Sequence, residues 1–291
     1  MLGAIEAGGT KFVCAVGDES GKIIERIQIP TTVPEETMES VIQFFKQYPV
    51  QAIGIGSFGP IDVNTESPTY GNITSTPKLA WKDFPFVQTI KEAFSVPVGF
   101  NTDVNAAALG EATFGAAKGL DSCVYITVGT GIGAGAIVQG NLLQGLSHPE
   151  MGHILVRRHP NDSYEGKCPY HHDCFEGLAA GPAIEERWGQ KGKDLVEREE
   201  VWEMEGYYIA QALMQYILIL SPKKIILGGG VMNQKQVFSY INKFLPELIN
   251  QYVSLPELSG YIVSPGLGDD AGITGSLLLA YQALQNEKSY K

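Results

Sequence analysis

Ala4-Ile5-Glu6-Ala7-Gly8-Gly9-Thr10-Lys11-Phe12-Val13-Cys14-Ala15-Val16 is a pair of apolar runs hinged on two glycines. A second such pair, Cys123 to Val128 and Ala134 to Val138, is hinged on Gly129-Thr130-Gly131-Ile132-Gly133. Short apolar runs separated by glycine predict strands joined by hairpin turns. After the first pair, Asp18 to Gly21 leads into a third run, Ile23 to Ile29. Pro34-Glu35-Glu36 then opens a predicted helix through Tyr48, with Met38, Val41, Ile42 and Phe45 at helical spacing and acids in the first turn. A strand at Ala52 to Ile55, a long loop to about Phe84, a helix through Phe94, a strand at Val96 to Phe100 and a helix from near Asp103 complete a βββαβαβα order. The same pattern begins again at Cys123, so the chain is predicted to be a structural duplication.

The second half predicts helices at about 181–189 and 198–220 and a strand at Lys224 to Leu227. A helix near 235–252, a strand at Tyr261 to Ser264 and a final helix from about Asp269 to Leu284 follow. Residues 140–180 form an irregular insertion too long for an ordinary connector, which marks a functional loop. The expected lobes are 1–117 and 118–271, divided between Gly115 and Gly119, with a carboxy-terminal helix at about 272–291 packing back on the first.

With 291 residues and 44% hydrophobic content, the chain is long enough for two cores. Its formal net charge of -11 disfavours nucleic acid and anionic membrane as partners. The amino terminus lacks the cationic start of a secretory signal, and the apolar stretch Tyr207 to Leu220 is interrupted by Gln211 and Gln215. A cytoplasmic protein is expected. Cys14 and Cys123 sit among β-branched residues, where a small inert hydrophobe is expected.

Glycine turns let backbone N–H groups approach a polyphosphate, and Thr10 adds a hydroxyl donor. One such turn is weak evidence; two equivalent turns in a duplicated framework suggest a cleft with a phosphate grip on each wall. Gly54-Ile55-Gly56-Ser57-Phe58-Gly59 matches a dinucleotide fingerprint, but Pro60 and a loop follow where a helix is needed. That stretch is a chance match or a substrate loop. Asn101-Thr102-Asp103 stands at a predicted strand-to-helix junction, where Asp103 is either a proton acceptor or an N-cap. All five histidines fall in the insertion, and His153, Cys168, His171 and Cys174 offer the four ligands of a closed structural zinc site. His172 could replace His171, and surface histidines without metal are the rival reading. Glu150 and Glu176 flank the cluster as possible acceptors for sugar hydroxyls. Ile225 to Met232 is a buried strand ending in three glycines, which either lets an adenine lie against backbone or is a plain helix entry.

Together these residues resemble the ROK family (repressors, open reading frames, kinases) of sugar kinases. The resemblance rests on Glu6 to Lys11, Gly56 to Asp62, Asp103 to Glu111, Gly129 to Gly133, Glu150 to His153 and Cys168 to Glu176. It implies an α/β, two-lobed actin-like ATPase (ribonuclease H-like) fold with duplicated βββαβα units. The Glu-Ala-Gly-Gly-Thr-Lys opening and the Cys-Pro-Tyr-His pattern look like the family's bacterial fructokinase branch, which implies ATP-dependent phosphorylation of a hexose, fructose first, at its C6 hydroxyl. The alternatives are a glucokinase or a broad hexokinase that also takes mannose.

Carried over by the resemblance, Asp103 is the general base, and Asn101, Thr102, Glu150, His153 and Glu176 hold the sugar, with His153 also on zinc. Gly8, Gly9, Thr10, Lys11, Thr130 and Gly131 face the phosphates, Pro182 and Gly229, Gly230, Val231 and Met232 the adenosine. Mg²⁺ accompanies the nucleotide, with Glu6 near its water shell. Thr102 stands where many members have Asn, and Glu6 where the glucokinase branch has Asp. The resemblance further implies lobe closure and a homodimer. The family's repressors place a winged helix-turn-helix before the first glycine turn; here Glu6 is already in that turn, so no DNA binding is expected.

Overall fold

The computed structural model describes residues 1–289. Strands β1 (Leu2–Ala7), β2 (Lys11–Gly17) and β3 (Ile23–Pro30) form an antiparallel meander reversed at Gly8-Gly9 and again at Gly21, whose φ is +79°. Helix α1 (Pro34–Phe45) crosses over to β4 (Ala52–Ser57), which lies parallel to β1. Helix α2 (Phe86–Phe94) leads to β5 (Val98–Thr102), parallel to β4, and α3 (Asp103–Thr113) follows without a break. The strand order is β3-β2-β1-β4-β5. Strand β4 is buried throughout, as a strand covered on both faces must be, whereas the edge strand β3 is mostly exposed and carries Glu25 and Arg26.

The second half repeats the plan. Strands β6 (Cys123–Val128), β7 (Ile132–Val138) and β8 (Asn141–Leu142) form its meander. Helices α4 (Phe175–Ala179), α5 (Gly181–Trp188) and α6 (Glu199–Leu220) lead to β9 (Ile225–Gly228), parallel to β6. Helices α7 (Gln236–Ile249) and α8 (Leu258–Tyr261) precede β10 (Ile262–Val263), and α9 (Ala271–Ser289) ends the described chain. The order β10-β9-β6-β7-β8, taken from the other edge, is that of the first sheet.

Several boundaries differ from the sequence expectation. Strand β8 falls inside the segment expected to be irregular, because Gly140 at φ +78° turns β7 back on itself. The strand expected at Tyr261 to Ser264 shrinks to two residues. Tyr261 instead ends α8 and donates its hydroxyl to the Pro222 carbonyl at 2.9 Å. Helix α7 stops at Ile249, where Asn250 adopts φ +47° and caps it. The last two residues of the helix expected at 272–291, Tyr290 and Lys291, lie outside the described residues.

The first core lies on the α1 face of its sheet and includes Phe12, Phe45, Trp81 and Phe86. On the opposite face Ile273, Leu277 and Ala280 of α9 cover Leu2, Ala4 and Ala52. In the second core, Trp202, Tyr208 and Leu213 of α6 and Ile241 of α7 cover Ile126 and Leu227. Between the sheets runs α3, with α9 beside it. Clearance there is so small that a Cβ at Gly275 would stand 1.7 Å from the Ala106 carbonyl oxygen, and one at Gly135 would stand 2.2 Å from that of Val104. Glycine on both flanks lets α3 pack backbone to backbone against α9 and β7.

The chain passes between the halves twice, between α3 and β6 and between β10 and α9. One carboxylate touches both passages. Glu111, fully buried, accepts from Ala116 N at 2.6 Å, Gly266 N at 2.9 Å and Leu267 N at 2.8 Å. Among the described residues no helix is long and apolar enough to cross a membrane.

Glu111→Ala leaves three part-buried N–H groups without their acceptor and is expected to lower unfolding stability by about 3 kcal/mol in urea titrations, with Glu111→Gln less damaging. A loss under about 1 kcal/mol for the alanine variant would refute this role.

Candidate active site

Strand β5 ends where α3 starts, and that corner sets Asp103. The N-cap of α3 is Thr102, whose hydroxyl accepts from Asn105 N at 3.1 Å, so the cap alternative weighed for Asp103 belongs to its neighbour. Asp103 Oδ1 accepts from Val104 N at 2.9 Å. Burial pushes the Asp103 carboxyl up to about 6, with Glu150 adding to the rise against the backbone hydrogen bonds. Asn101 turns its amide oxygen inward, to Thr102 N at 2.9 Å and Asn105 Nδ2 at 2.8 Å, so its Nδ2 is the end left for a ligand.

A cavity of about 380 Å³ opens between the halves beside Asp103. Glu6, Asp269, Gly229, Gly230, Met232, Asn233 and Lys235 are among the residues that line it. No hydrogen-bond donor among the described residues reaches the Glu6 carboxylate, which burial first and the Asp103 charge second push up to about 7, against the pull of Lys11. Glu6 and Asp103, two raised carboxyls in one cavity, have the hard oxygen donors a divalent cation takes. Lys235 Nζ is held by Ser264 Oγ at 3.0 Å.

The first glycine turn is closed by Gly8 N donating to the Lys11 carbonyl at 3.0 Å. The second lies against the amino end of α5, where Gly181 N donates to the Gly129 carbonyl at 2.8 Å next to Pro182. Glu176 braces the second turn: it accepts from Ile132 N at 2.8 Å, and a Cβ at Gly131 would stand 2.8 Å from Glu176 Oε2. Its other oxygen lies 4.0 Å from His153 Nε2. Glu150 has its carboxyl raised by partial desolvation, with His153 opposing and Glu176 reinforcing the rise.

The insertion brings His153, Cys168, His171 and Cys174 together, with one ligand atom from each within 4.8 Å of the others. Nδ1 of His153 is 3.6 Å from both sulfurs, and Nδ1 of His171 is 3.7 Å from Cys168 Sγ. Zinc bonds of ordinary length at a tetrahedral centre set N and S about 3.6 Å apart, so the cage fits that ion. His172 stays outside the cage; it occupies the tight turn at φ +53° that closes on Cys168.

Thus Glu6, Asp103, Gly229, Gly230 and Met232 share the larger cavity, while Thr10, Lys11 and Thr130 do not line it. A second cavity of about 310 Å³ adjoins Glu150, beneath Pro60 and Ile61, with Thr74, Ser147 and His148 in its wall. Of its lining residues only Glu150 was a sequence candidate for a role; Pro60, Ile61 and Asp62 belong to the Gly56 to Asp62 stretch on which the family resemblance rests, and Thr74, Ser147 and His148 lie outside every motif. His148 is held neutral, its ring pushed down to about 4 by burial, with Nδ1 3.3 Å from Asn105 Nδ2.

Two sheets of the same strand order, each opening on a meander with a glycine turn, define the actin-like ATPase fold. The chain belongs to the ROK family, whose profile spans residues 2–283. It is 69% identical over 291 residues to a provisionally named fructokinase of Bacillus subtilis (strain 168), an alignment covering 99% of this chain and 97% of the relative. A fructokinase of Pediococcus pentosaceus is 51% identical over 286 residues, covering 98% of this chain and 99% of its own. The crystal structure of a ROK family glucokinase from Streptomyces griseus, in complex with glucose and AMPPNP, matches with a TM-score of 0.76 at 25% identity, covering 96% of this chain and 98% of that one.

Thr102→Ala removes the helix cap and is expected to lower stability by about 1 kcal/mol in urea unfolding, with Thr102→Ser close to the parent. An unchanged alanine variant would show that the hydroxyl contributes nothing to α3.

Proposed function

We propose that this ROK protein is a fructokinase that transfers the γ-phosphoryl group of ATP to the C6 hydroxyl of D-fructose. The observation that carries the reading is Asp103, a partly buried carboxyl pushed up to about 6 beside the interlobe cavity. A base of that strength takes a proton well near neutral pH. Its likeness to named fructokinases, at 69% and 51% identity, supports fructose over other hexoses.

Asp103 accepts the C6 hydroxyl proton as the new O–P bond forms; the bond from phosphorus to the β,γ-bridging oxygen breaks, and its electron pair leaves with ADP. Asn101 Nδ2, Glu150, His153 and Glu176 orient the sugar so that the hydroxyl lies in line. Backbone N–H groups of Gly8 to Lys11 and of Thr130 and Gly131 hold the phosphates, and Pro182 with Gly229 to Met232 the adenosine. Glu6 would supply a carboxylate oxygen to the water shell of Mg²⁺, which when bound would offset phosphate charge, and Asp103 would be left free to accept the proton. His153, Cys168, His171 and Cys174 would hold a structural zinc, and His153 would then present Nε2 to the sugar side. We assign 1–117 with α9 to one lobe and 118–271 to the other, closing over substrate to exclude water. The exposed apolar side chains of Leu155, Leu218 and Ile219 support pairing as a homodimer.

ADP release should be fastest with fructose among fructose, glucose, mannose and N-acetylmannosamine, and Asp103→Asn should lower turnover by about 10²–10⁴-fold. Because Asp103 must be ionised to accept a proton, kcat/KM should fall about tenfold per pH unit below about 6. A mutant retaining most of its turnover would remove Asp103 from the role. Protein prepared without chelator should contain about one zinc per chain, and Cys174→Ser much less; absence of zinc from both would remove the four-ligand site.

A further inference from the structure

Lys78 lies in the long loop between β4 and α2, outside every motif, yet its place is tightly set. Its backbone N–H donates to Thr76 Oγ1 at 3.3 Å, and its carbonyl accepts from Trp81 N at 2.8 Å. Thr76 and Trp81 are both buried, and the Trp81 indole donates at 2.7 Å to the Thr32 carbonyl, just beyond β3 and beside the first glycine turn. From this anchored stretch the Lys78 side chain runs over Gly9. A Cβ at Gly9 would stand 2.8 Å from Lys78 Cε and 3.8 Å from its Nζ, so glycine there leaves room for the lysine stem. Among the described residues Nζ has neither a carboxylate nor a hydrogen-bond partner.

Charge balance gives that position its meaning. The cavity is lined by Glu6, Asp103 and Asp269, and the whole chain carries a formal charge of -11. A triphosphate entering it needs compensating cations, most of all where charge gathers on the transferring phosphoryl oxygens. Lys235, in the cavity wall, donates to Ser264 Oγ. Lys11 and Lys78 are the cations at the first glycine turn.

We propose that Lys78 is a further catalytic residue: its ammonium contacts the phosphoryl group in flight at the Gly8-Gly9 turn. The assignment rests on the kinase reading. Lys78 forms and breaks no covalent bond; it keeps its proton and donates hydrogen bonds while the proton from the sugar goes to Asp103. An ammonium that meets the group only as charge develops stabilises the transition state more than bound substrate, which predicts an effect on kcat rather than on KM.

The test compares Lys78→Met, Lys78→Arg and, as a control from the same exposed loop, Lys82→Met. ADP release with fructose gives kcat and KM; calorimetric titration with ADP, which lacks the γ-phosphate, gives ground-state nucleotide affinity. Lys78→Met should lower kcat by about 10- to 100-fold. Its KM for fructose and its Kd for ADP should stay within about twofold of wild type. Lys78→Arg should recover part of the loss, and Lys82→Met should match wild type. A Lys78→Met kcat within about twofold of wild type overturns the proposal, as does an ADP affinity that falls as far as kcat, because the charge would then serve binding alone. Should the wild type itself release no ADP with any hexose, the kinase reading falls and the Lys78 assignment with it.

Discussion

Helix α3 is packed so closely between α9 and β7 that backbone touches backbone on both flanks. That contact orders most of what has been described. Because the helix packs backbone to backbone on α9 and β7, its amino end is held close beside both, and Thr102, Asp103 and Asn105 inherit that placement. A carboxylate carried by a freer helix would sample the cleft; this one is held in it. The Thr102 cap and the Asn101–Asn105 amide pair then fix which atoms point inward and which remain for a ligand.

The electrostatics follow from the same crowding. Glu6, at the end of β1, and Asp103, at the start of α3, come together because α3 lies against the first sheet. Burial raises both carboxyls, and like charge adds to the rise, that of Asp103 at Glu6 and that of Glu150 at Asp103. The apo cleft is thus arranged against negative charge while its proposed substrate brings more of it. The cations nearby are Lys235 in the cavity wall and Lys11 and Lys78 together at the first glycine turn.

How much of this was legible beforehand depended on whether the signal was local. The duplicated meanders and both glycine turns could be read because apolar runs and glycines lie next to one another along the chain. The Cys-His cage was legible for a similar reason: Cys168, His171 and Cys174 share one short loop, and only His153 had to be brought from further off. Asp103 was legible as a candidate, but its neighbour's role was not, since cap geometry depends on one backbone turn. Lys78, Thr74, Ser147 and His148 were invisible, because what distinguishes them is the surface they fold against, and nothing in a lysine's neighbours along the sequence announces a glycine some seventy residues away. The two-residue strands β8 and β10 were blurred because so short a run has no periodicity to detect.

Glu111 joins the two passages of the chain between the halves at a single buried point. Two independent straps would let the halves slide, shear or twist past each other. Pinned together, they form one axle, and the lobe closure proposed above would be a swing about it. Such a swing would move the far lips of the crevice most and the residues next to the pin, the carboxy end of α3 among them, least.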